Sequence, residues 1–316
     1  MNGSGTSAAH RPLAPGTATI AVLCSAIGFS TIAIATVIGT RDGTPLTTVV
    51  FCRFLLGALV LFPLAGGRRG LSIGRSHAGR IVLWGGMGQA MVNLLNLSAL
   101  AYLPAATVVF LFYTYPAWVT VVAALRRTER VGATRLVALL VSLAGIVIIV
   151  GAPGSGAISP LGASLSLAGA FVYALYIPLL RQLQIGTTTT AAIFYVAIGT
   201  CLSMLAYGAL RNELTWQFSA PTIGAIVWLA LVPTVLAMQA FLRGLETLGP
   251  VRTAIISTAE PFSAAILAAL LLDQRLTLPT VTGGALIAIA VLLLQRPDRA
   301  AAPRDVRSPA HGSSAA

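Results

Sequence analysis

Apolar runs about twenty residues long, separated by short polar turns, dominate this chain. At ~1.5 Å per helical residue, each run matches a hydrocarbon core about 30 Å thick. Ten can be traced, at roughly 17–38, 45–64, 80–102, 104–125, 134–152, 160–180, 188–209, 221–242, 250–272 and 278–295. Turn-type residues mark the breaks: TRDGT after the first run, GGRRGLSIGRSHAGR after the second, GAPGSGAISP after the fifth. Leu103-Pro104 divides the long apolar stretch 80–125, because a residue before proline is pushed away from helical geometry. The pattern predicts an all-α membrane protein of ten transmembrane helices. Residues 1–16 form a polar N-terminal tail. The first long apolar run, with a second close behind, reads as a retained span rather than a cleaved signal. Residues 296–316, rich in Ala, Pro and Ser, are predicted to be a disordered tail.

Composition sharpens this reading. Of the 316 residues, 57% are hydrophobic and only 9% charged, against about 25% charged in a soluble domain. The net charge of +12 raises nucleic acid as a partner. The basic residues are all Arg, however, and they are spread through short loops rather than gathered on one face, so no nucleic-acid interface is predicted. Placing the N-terminus in the cytoplasm and alternating puts 16 of the 20 there: Arg11, Arg68, Arg69, Arg75, Arg80, Arg126, Arg127, Arg130, Arg135, Arg181, Arg243, Arg252, Arg296, Arg299, Arg304 and Arg307. Only Arg41, Arg211 and Arg275 fall outside, and Arg53 falls within a span. This bias predicts that both termini are cytoplasmic.

The chain also repeats itself. Displaced by 145 residues, Pro116 falls on Pro261, Arg130 on Arg275, Leu100 on Leu245 and Leu103 on Leu248. Ala123-Ala124-Leu125 falls on Ala268-Ala269-Leu270. Five spans per half is an odd number, so the second half enters the membrane upside down. The expected architecture is two inverted five-helix repeats, 17–152 and 160–295. Many secondary transporters are built so, with the solute site near the midplane between repeats.

Two charged side chains lie well inside spans, Arg53 and Glu260. Each costs at least ~2.5 kcal/mol at a helix centre, so each is a functional candidate or half of a structural ion pair. Arg53 lies about 12 Å and Glu260 about 18 Å from the outer ends of their spans, close enough for long side chains to pair. Thr253, Ser257 and Glu260 share one helical face, and Gln89, Asn93 and Asn96 share another. Span 4 offers Tyr113, Pro116 and Thr120 with Tyr115 near them; span 6 offers Tyr173 and Tyr176, and span 8 offers Trp228 and Gln239. Aromatic rings with a few placed amides suit an organic solute better than a bare ion, although each ring alone also fits ordinary packing. Pro116 and Pro261 each remove a backbone donor in mid-span; they act as hinges or as static kinks. Gly162, Ser166 and Ala170, and Thr280, Gly284 and Ala288, are small residues at packing spacing. Cys24, Cys52 and Cys201 lie in apolar runs, and their odd number and spacing give no disulfide framework. His10, His77 and His311 lie outside the spans. No metal site, cofactor motif, phosphate-binding loop or catalytic constellation is visible, so an enzyme is not expected.

Three stretches resemble the EamA-type transporters of the drug/metabolite transporter superfamily, over about residues 17–295. ALAYLPAATVVFLFYTYPAWVTVVAALRRTER is similar to that family's span 3–4 signature, and GLETLGPVRTAIISTAEPFSAAILAALLLDQRL to its span 8–9 counterpart with the Glu-Pro pair. FCRFLLGALVL resembles the span 2 Arg-Phe motif. The family often closes span 9 with a Gly-Glu-Arg-like turn; this chain has Asp273-Gln274-Arg275, while its first half keeps Glu129-Arg130. Cys24-Ser25 stand near the place of the family's first-span Trp-Gly pair. The resemblance implies a central cavity from spans 1–4 and 6–9, with spans 5 and 10 peripheral. It also implies export of small metabolites, commonly amino acids or related compounds, across a bacterial inner membrane. A multidrug exporter, or a membrane receptor or scaffold without transport, remains the competing reading. The expected partners are a small-molecule solute and the lipid bilayer, with a homodimer left open.

Overall fold

The computed structural model describes residues 13–125, 133–151, 158–257 and 259–294. Among them every regular element is helical. In chain order these are α1 (Pro15–Thr40), α2 (Leu46–Leu64), α3 (Gly67–Gly70), α4 (Arg75–Arg80), α5 (Gly86–Ser98), α6 (Ala105–Phe112) and α7 (Tyr115–Leu125). Then follow α8 (Ala133–Gly151), α9 (Pro160–Gln184), α10 (Thr189–Arg211), α11 (Ala220–Leu229), α12 (Met238–Ser257), α13 (Ala259–Leu272) and α14 (Leu278–Leu294). π-helical stretches at Ile81–Gly85 and Ala230–Ala237 join α4 to α5 and α11 to α12. The loop arginines Arg11, Arg126, Arg127, Arg130, Arg296, Arg299, Arg304 and Arg307 lie outside the described residues, as does most of each tail.

Local chemistry sets the helix starts. Ser159, Thr188 and Ser219 accept from the backbone N–H of Gly162, Ala191 and Thr222, relieving donors that a helix start leaves unpaired. Pro15, Pro160 and Pro221 stand in first turns, where a missing N–H costs nothing. Asn212, left-handed at φ 54°, ends α10.

Among the described residues, five stretches are long and apolar enough to cross a membrane: Pro15–Thr40, Leu46–Leu64, Pro160–Gln184, Thr189–Arg211 and Ala220–Gly244. Shorter apolar helical segments occur at Ala105–Val119, Leu136–Ile148, Ala259–Leu272 and Leu278–Leu293. Leu140, Val147, Leu270 and Leu278 are among many large apolar side chains left exposed. Such a surface is out of place in water and at home against lipid.

Two expectations need correction. The run 104–125 is broken in mid-course, between α6 and α7. The turn expected between 242 and 250 is helical: α12 runs through it, and Thr247 Oγ1 bonds back to the Arg243 carbonyl at 3.3 Å, one helical turn earlier. Leu245, Glu246 and Leu248 are ready helix formers, and their propensity prevails over the polarity that suggested a turn.

The helices pack in an exchangeable pattern. α2 lies along α10, and α8 and α14 pack mainly on each other. α1 lies along α12 as α5 lies along α9, and α6 packs against α13. Swapping the two halves of the chain maps this set of neighbours onto itself. Lipid tails are as apolar as leucine, so close approach rather than water exclusion holds such helices together. A Cβ on Gly199 would overlap the Val82 carbonyl, and one on Gly86 would overlap the Gly199 backbone, so the backbones of α5 and α10 touch. The counterpart crossing brings Gly57 of α2 against Thr234, where an added Cβ would stand 3.1 Å from the Thr234 methyl.

Polar ties close one end. Asp42 Oδ1 accepts from the Thr44 hydroxyl at 2.8 Å and Oδ2 from the Thr222 hydroxyl at 2.9 Å, joining the α1–α2 turn to α11. Glu213 does the same for α2: its carboxylate accepts from Thr47 and its carbonyl from Thr48, each at 2.8 Å.

Two outcomes follow. Gly199→Ala should lower the melting temperature by a destabilisation of about 1–3 kcal/mol, while Gly224→Ala, with open space around its Cβ position, should not. Hydroxyl bonds from Ser219, then Thr44 and Thr222, hold the Asp42 carboxyl well below the usual carboxylate range. The folded value is depressed, so this tie is fully present above the unfolded value of about 3.9 and is lost as pH falls through the lower folded value. Melting curves at pH 7 and pH 3 should therefore show a smaller acid loss in Asp42→Asn than in the unaltered protein.

Candidate functional site

Pro261 organises the centre of the molecule. It has no N–H, so the carbonyl of Ser257, four residues earlier, loses its helical donor. Ser257 is the last residue of α12 and Pro261 lies in the first turn of α13, with Thr258 outside the described residues. The Tyr113 hydroxyl stands 3.0 Å from the Ser257 carbonyl and 2.7 Å from Glu260 Oε2. Tyr113 has one proton and two acceptors within reach. The shorter contact is to the carboxylate, as a charge-assisted bond should be.

Tyr113 itself sits at a helical break in the first half. α6 ends at Phe112 and α7 resumes at Tyr115, one residue before Pro116. The Thr114 hydroxyl bonds back to the Leu111 carbonyl at 2.7 Å, and the Tyr113 N–H to Val109 at 3.0 Å. Two proline-bearing segments, one from each half of the chain, thus meet at one tyrosine hydroxyl. The side chains of Pro116 and Thr120 lie outside the described residues, as does Thr258.

Aromatic rings surround this joint. The Tyr115 and Tyr173 centroids are 4.9 Å apart with planes at 80°. Phe112 lies 5.9 Å from Tyr115 and 5.2 Å from Tyr173, and Tyr113 lies 5.9 Å from Tyr115. Glu260, Tyr115 and Tyr173 are partly buried, and Tyr113 is fully so. On the same stripe as Glu260, Thr253 Oγ1 and Ser257 Oγ are buried without a partner among the described residues.

The remaining candidates take other places. Arg53 does not reach Glu260: its Nε donates to Thr234 Oγ1 at 2.8 Å, and no ion pair joins the two among the described residues. Thr234 in turn bonds the Leu229 carbonyl, five residues back, at 2.8 Å, inside the π-helical stretch. Arg53 Nη1 is buried without a partner. Tyr176 is buried and donates to the Gly85 carbonyl at 2.9 Å, pinning α9 to the other π-helical stretch. Asn96 Oδ1 lies 3.2 Å from the Ser166 hydroxyl, again between α5 and α9. The Asn93 amide bonds the Gln89 backbone carbonyl at 2.7 Å. The Gln239 amide donates to Thr190 at 3.0 Å, and the Trp228 indole to Thr31 at 2.9 Å. Of the sequence candidates, then, only Tyr113, Ser257, Glu260 and their neighbours Tyr115 and Tyr173 converge. Phe112 was missed; its spacing from Tyr115 along one face was the available signal.

A cavity of about 210 Å³ lies elsewhere, between Tyr102, Pro104, Thr107, Gln274, Arg275 and Thr280. Gln274 Oε1 accepts from the Ala105 N–H at 3.0 Å beside it, which ties the turn after α13 to the start of α6. No cluster of three or more metal-ligating side chains occurs among the described residues.

The sequence profile of the EamA-like transporter family matches twice, over residues 16–151 and again over 160–296. The uncharacterized inner membrane transporter YicL of Salmonella typhimurium is 29% identical over 265 residues, 82% of this chain and 87% of that protein. A solved structure described only as the crystal structure of a protein superimposes with a TM-score of 0.64. It covers 88% of this chain and 96% of its own, at 20% identity, and so speaks for the fold alone.

Tyr113→Phe removes the one hydroxyl that reaches both Glu260 and the Ser257 carbonyl. A loss of about 1–2 kcal/mol is expected, read as a lower melting temperature in detergent. Tyr102→Phe, at an exposed position, serves as the neutral comparison.

Proposed function

We propose that this chain, which belongs to the EamA-like transporter family, is a secondary transporter that exports small organic metabolites, amino acids or related compounds, by alternating access. The observation that carries the reading is the joint at Tyr113, where proline-bearing segments from opposite halves meet beside an intramembrane carboxylate.

The architecture proposed is ten spans in two inverted five-span repeats, 17–152 and 160–295, between cytoplasmic tails 1–16 and 296–316. The double family match and the exchangeable helix contacts support it, and the arginine bias supports the orientation. The name of the Salmonella relative supports a bacterial inner membrane as the location.

In this scheme Pro116 and Pro261 mark the hinges. A helix with an interrupted ladder bends at lower cost than an intact one. Glu260 holds either a solute ammonium or a proton. If a proton, the carboxyl can donate to Tyr113, whose own proton then turns to the Ser257 carbonyl at the hinge. Loading of Glu260 would thereby be felt by the backbone that has to move. The aromatic wall of Phe112, Tyr115 and Tyr173 also favours lipophilic solutes, which keeps a multidrug exporter as the second reading.

The test is uptake of a panel of amino acids, amines and lipophilic cations by the purified protein in sealed vesicles, with and without a pH gradient. Transport of at least one class is expected, with Glu260→Gln slower by at least about tenfold. Full transport by Glu260→Gln would remove Glu260 from the mechanism.

A further inference from the structure

We propose that the cavity between the start of α6 and the turn after α13 binds a phosphate group, held by Arg275, the Gln274 amide, the Thr107 hydroxyl and the first N–H groups of α6. The site is separate from Glu260 and does not depend on the transporter reading.

The space is real and its walls come from both halves of the chain. It measures about 210 Å³. A water's share of liquid is about 30 Å³, so a phosphate group fits together with a few waters. Pro104, Ala106 and Thr107 line it from the start of α6, and Gln274 and Arg275 from the turn after α13. The arginine bias puts this end of the molecule outside the cytoplasm.

The walls offer mostly hydrogen-bond donors. Gln274 Oε1 is taken by the Ala105 N–H at 3.0 Å, which leaves the Gln274 NH2 group without an acceptor among the described residues. The next two N–H groups of α6, on Ala106 and Thr107, meet no acceptor among them either. Thr107 lines the cavity, is only 2% exposed, and its hydroxyl bonds to no described residue. Buried hydroxyls ordinarily have a partner. The Thr277 and Thr280 hydroxyls instead pair with each other at 2.9 Å.

Charge gives the sign of the ligand. No carboxylate lines the cavity, and Arg275 has no ion pair among the described residues. Asp273 ends α13 in the left-handed region at φ 52°, and the Gln274 N–H bonds the Ala268 carbonyl at 3.3 Å. Glycine usually supplies such a turn. Here it brings Gln274 and Arg275 into the cavity wall and leaves Asp273 out of it. Displaced by 145 residues, Glu129 falls on Gln274. A glutamate at 274 would cap α6 and also neutralise Arg275. The amide caps α6 but leaves the arginine and the positive helix start unanswered. A helix start and a guanidinium on one space make an oxyanion site. Donors on two sides suit a tetrahedral anion, with oxygens in several directions, better than a planar carboxylate.

The experiment is calorimetric titration of inorganic phosphate into the full-length protein in maltoside detergent, with chloride holding ionic strength constant. A Kd of about 1 mM is expected, with acetate weaker by about tenfold or more. Arg275→Gln, at an exposed position, and Gln274→Glu should each weaken phosphate binding by about tenfold or more. Gln274→Glu keeps the acceptor for Ala105, so its melting temperature without phosphate should not fall. Loss of the site is thereby separated from loss of the fold. Arg41→Gln, outside the cavity, should bind phosphate as the unaltered protein does. Dihexanoylphosphatidylglycerol and glycerophosphoglycerol, the same headgroup without chains, identify the source of the phosphate. Arg275-dependent binding that is about tenfold tighter for the lipid supports a bilayer headgroup, and equal binding supports a free phosphate compound. No binding of all three phosphates at about 10 mM, acetate equal to phosphate, or unchanged binding in both Arg275→Gln and Gln274→Glu would overturn the proposal.

Discussion

A backbone carbonyl that loses its N–H partner inside a membrane has to be given another, because hydrocarbon offers none. Pro261 creates that situation at Ser257, and the Tyr113 hydroxyl resolves it. The remedy comes from a different part of the chain, so it also fixes how α6 and α13 face one another. It brings the same hydroxyl 2.7 Å from Glu260 Oε2, so one proton has to serve the freed carbonyl and a carboxylate by turns.

The two π-helical stretches follow the same rule. Widening a helical turn frees or displaces carbonyls, and each stretch is answered by a side chain. Tyr176 bonds the Gly85 carbonyl, and Thr234 bonds the Leu229 carbonyl while accepting from Arg53. Both stretches lie where glycine lets backbones come together, Gly86 on Gly199 and Gly57 on Thr234. Irregular backbone, small residues and a stray polar group therefore coincide. Each makes the next affordable in a solvent without hydrogen bonds. Arg53 is thereby accounted for as a brace between α2 and the second π-helical stretch, although its Nη1 stays unpartnered.

Function is drawn from what this scaffold leaves unfinished. Most polar side chains in the spans close on a neighbour, as Asn96 does with Ser166 and Gln239 with Thr190. Around Glu260 they do not. Thr253 Oγ1 and Ser257 Oγ, on the face that carries Glu260, are buried without a partner among the described residues. Unsatisfied groups beside an intramembrane carboxylate are where a ligand has most to add.

Much of this was legible in the residues alone, because hydrocarbon imposes simple rules. Run length marked an all-helical membrane chain, and the 145-residue offset paired Pro116 with Pro261. Even the helical break was implied, since a proline in mid-span removes a donor wherever it stands. Partnership was not legible. Arg53 and Glu260 were equally eligible for one another by depth, and Tyr113 was one polar residue among several on span 4. Depth along a helix can be counted in sequence, but the azimuth at which helices meet cannot. That angle is set by which glycines let two backbones touch. It sent Arg53 to Thr234 and Tyr113 to Glu260, turned Tyr176 away to Gly85, and stacked Tyr115 and Tyr173 beside Tyr113. The sequence by itself determined the helices and where they must bend; the tertiary structure alone decided which side chain answers each bend.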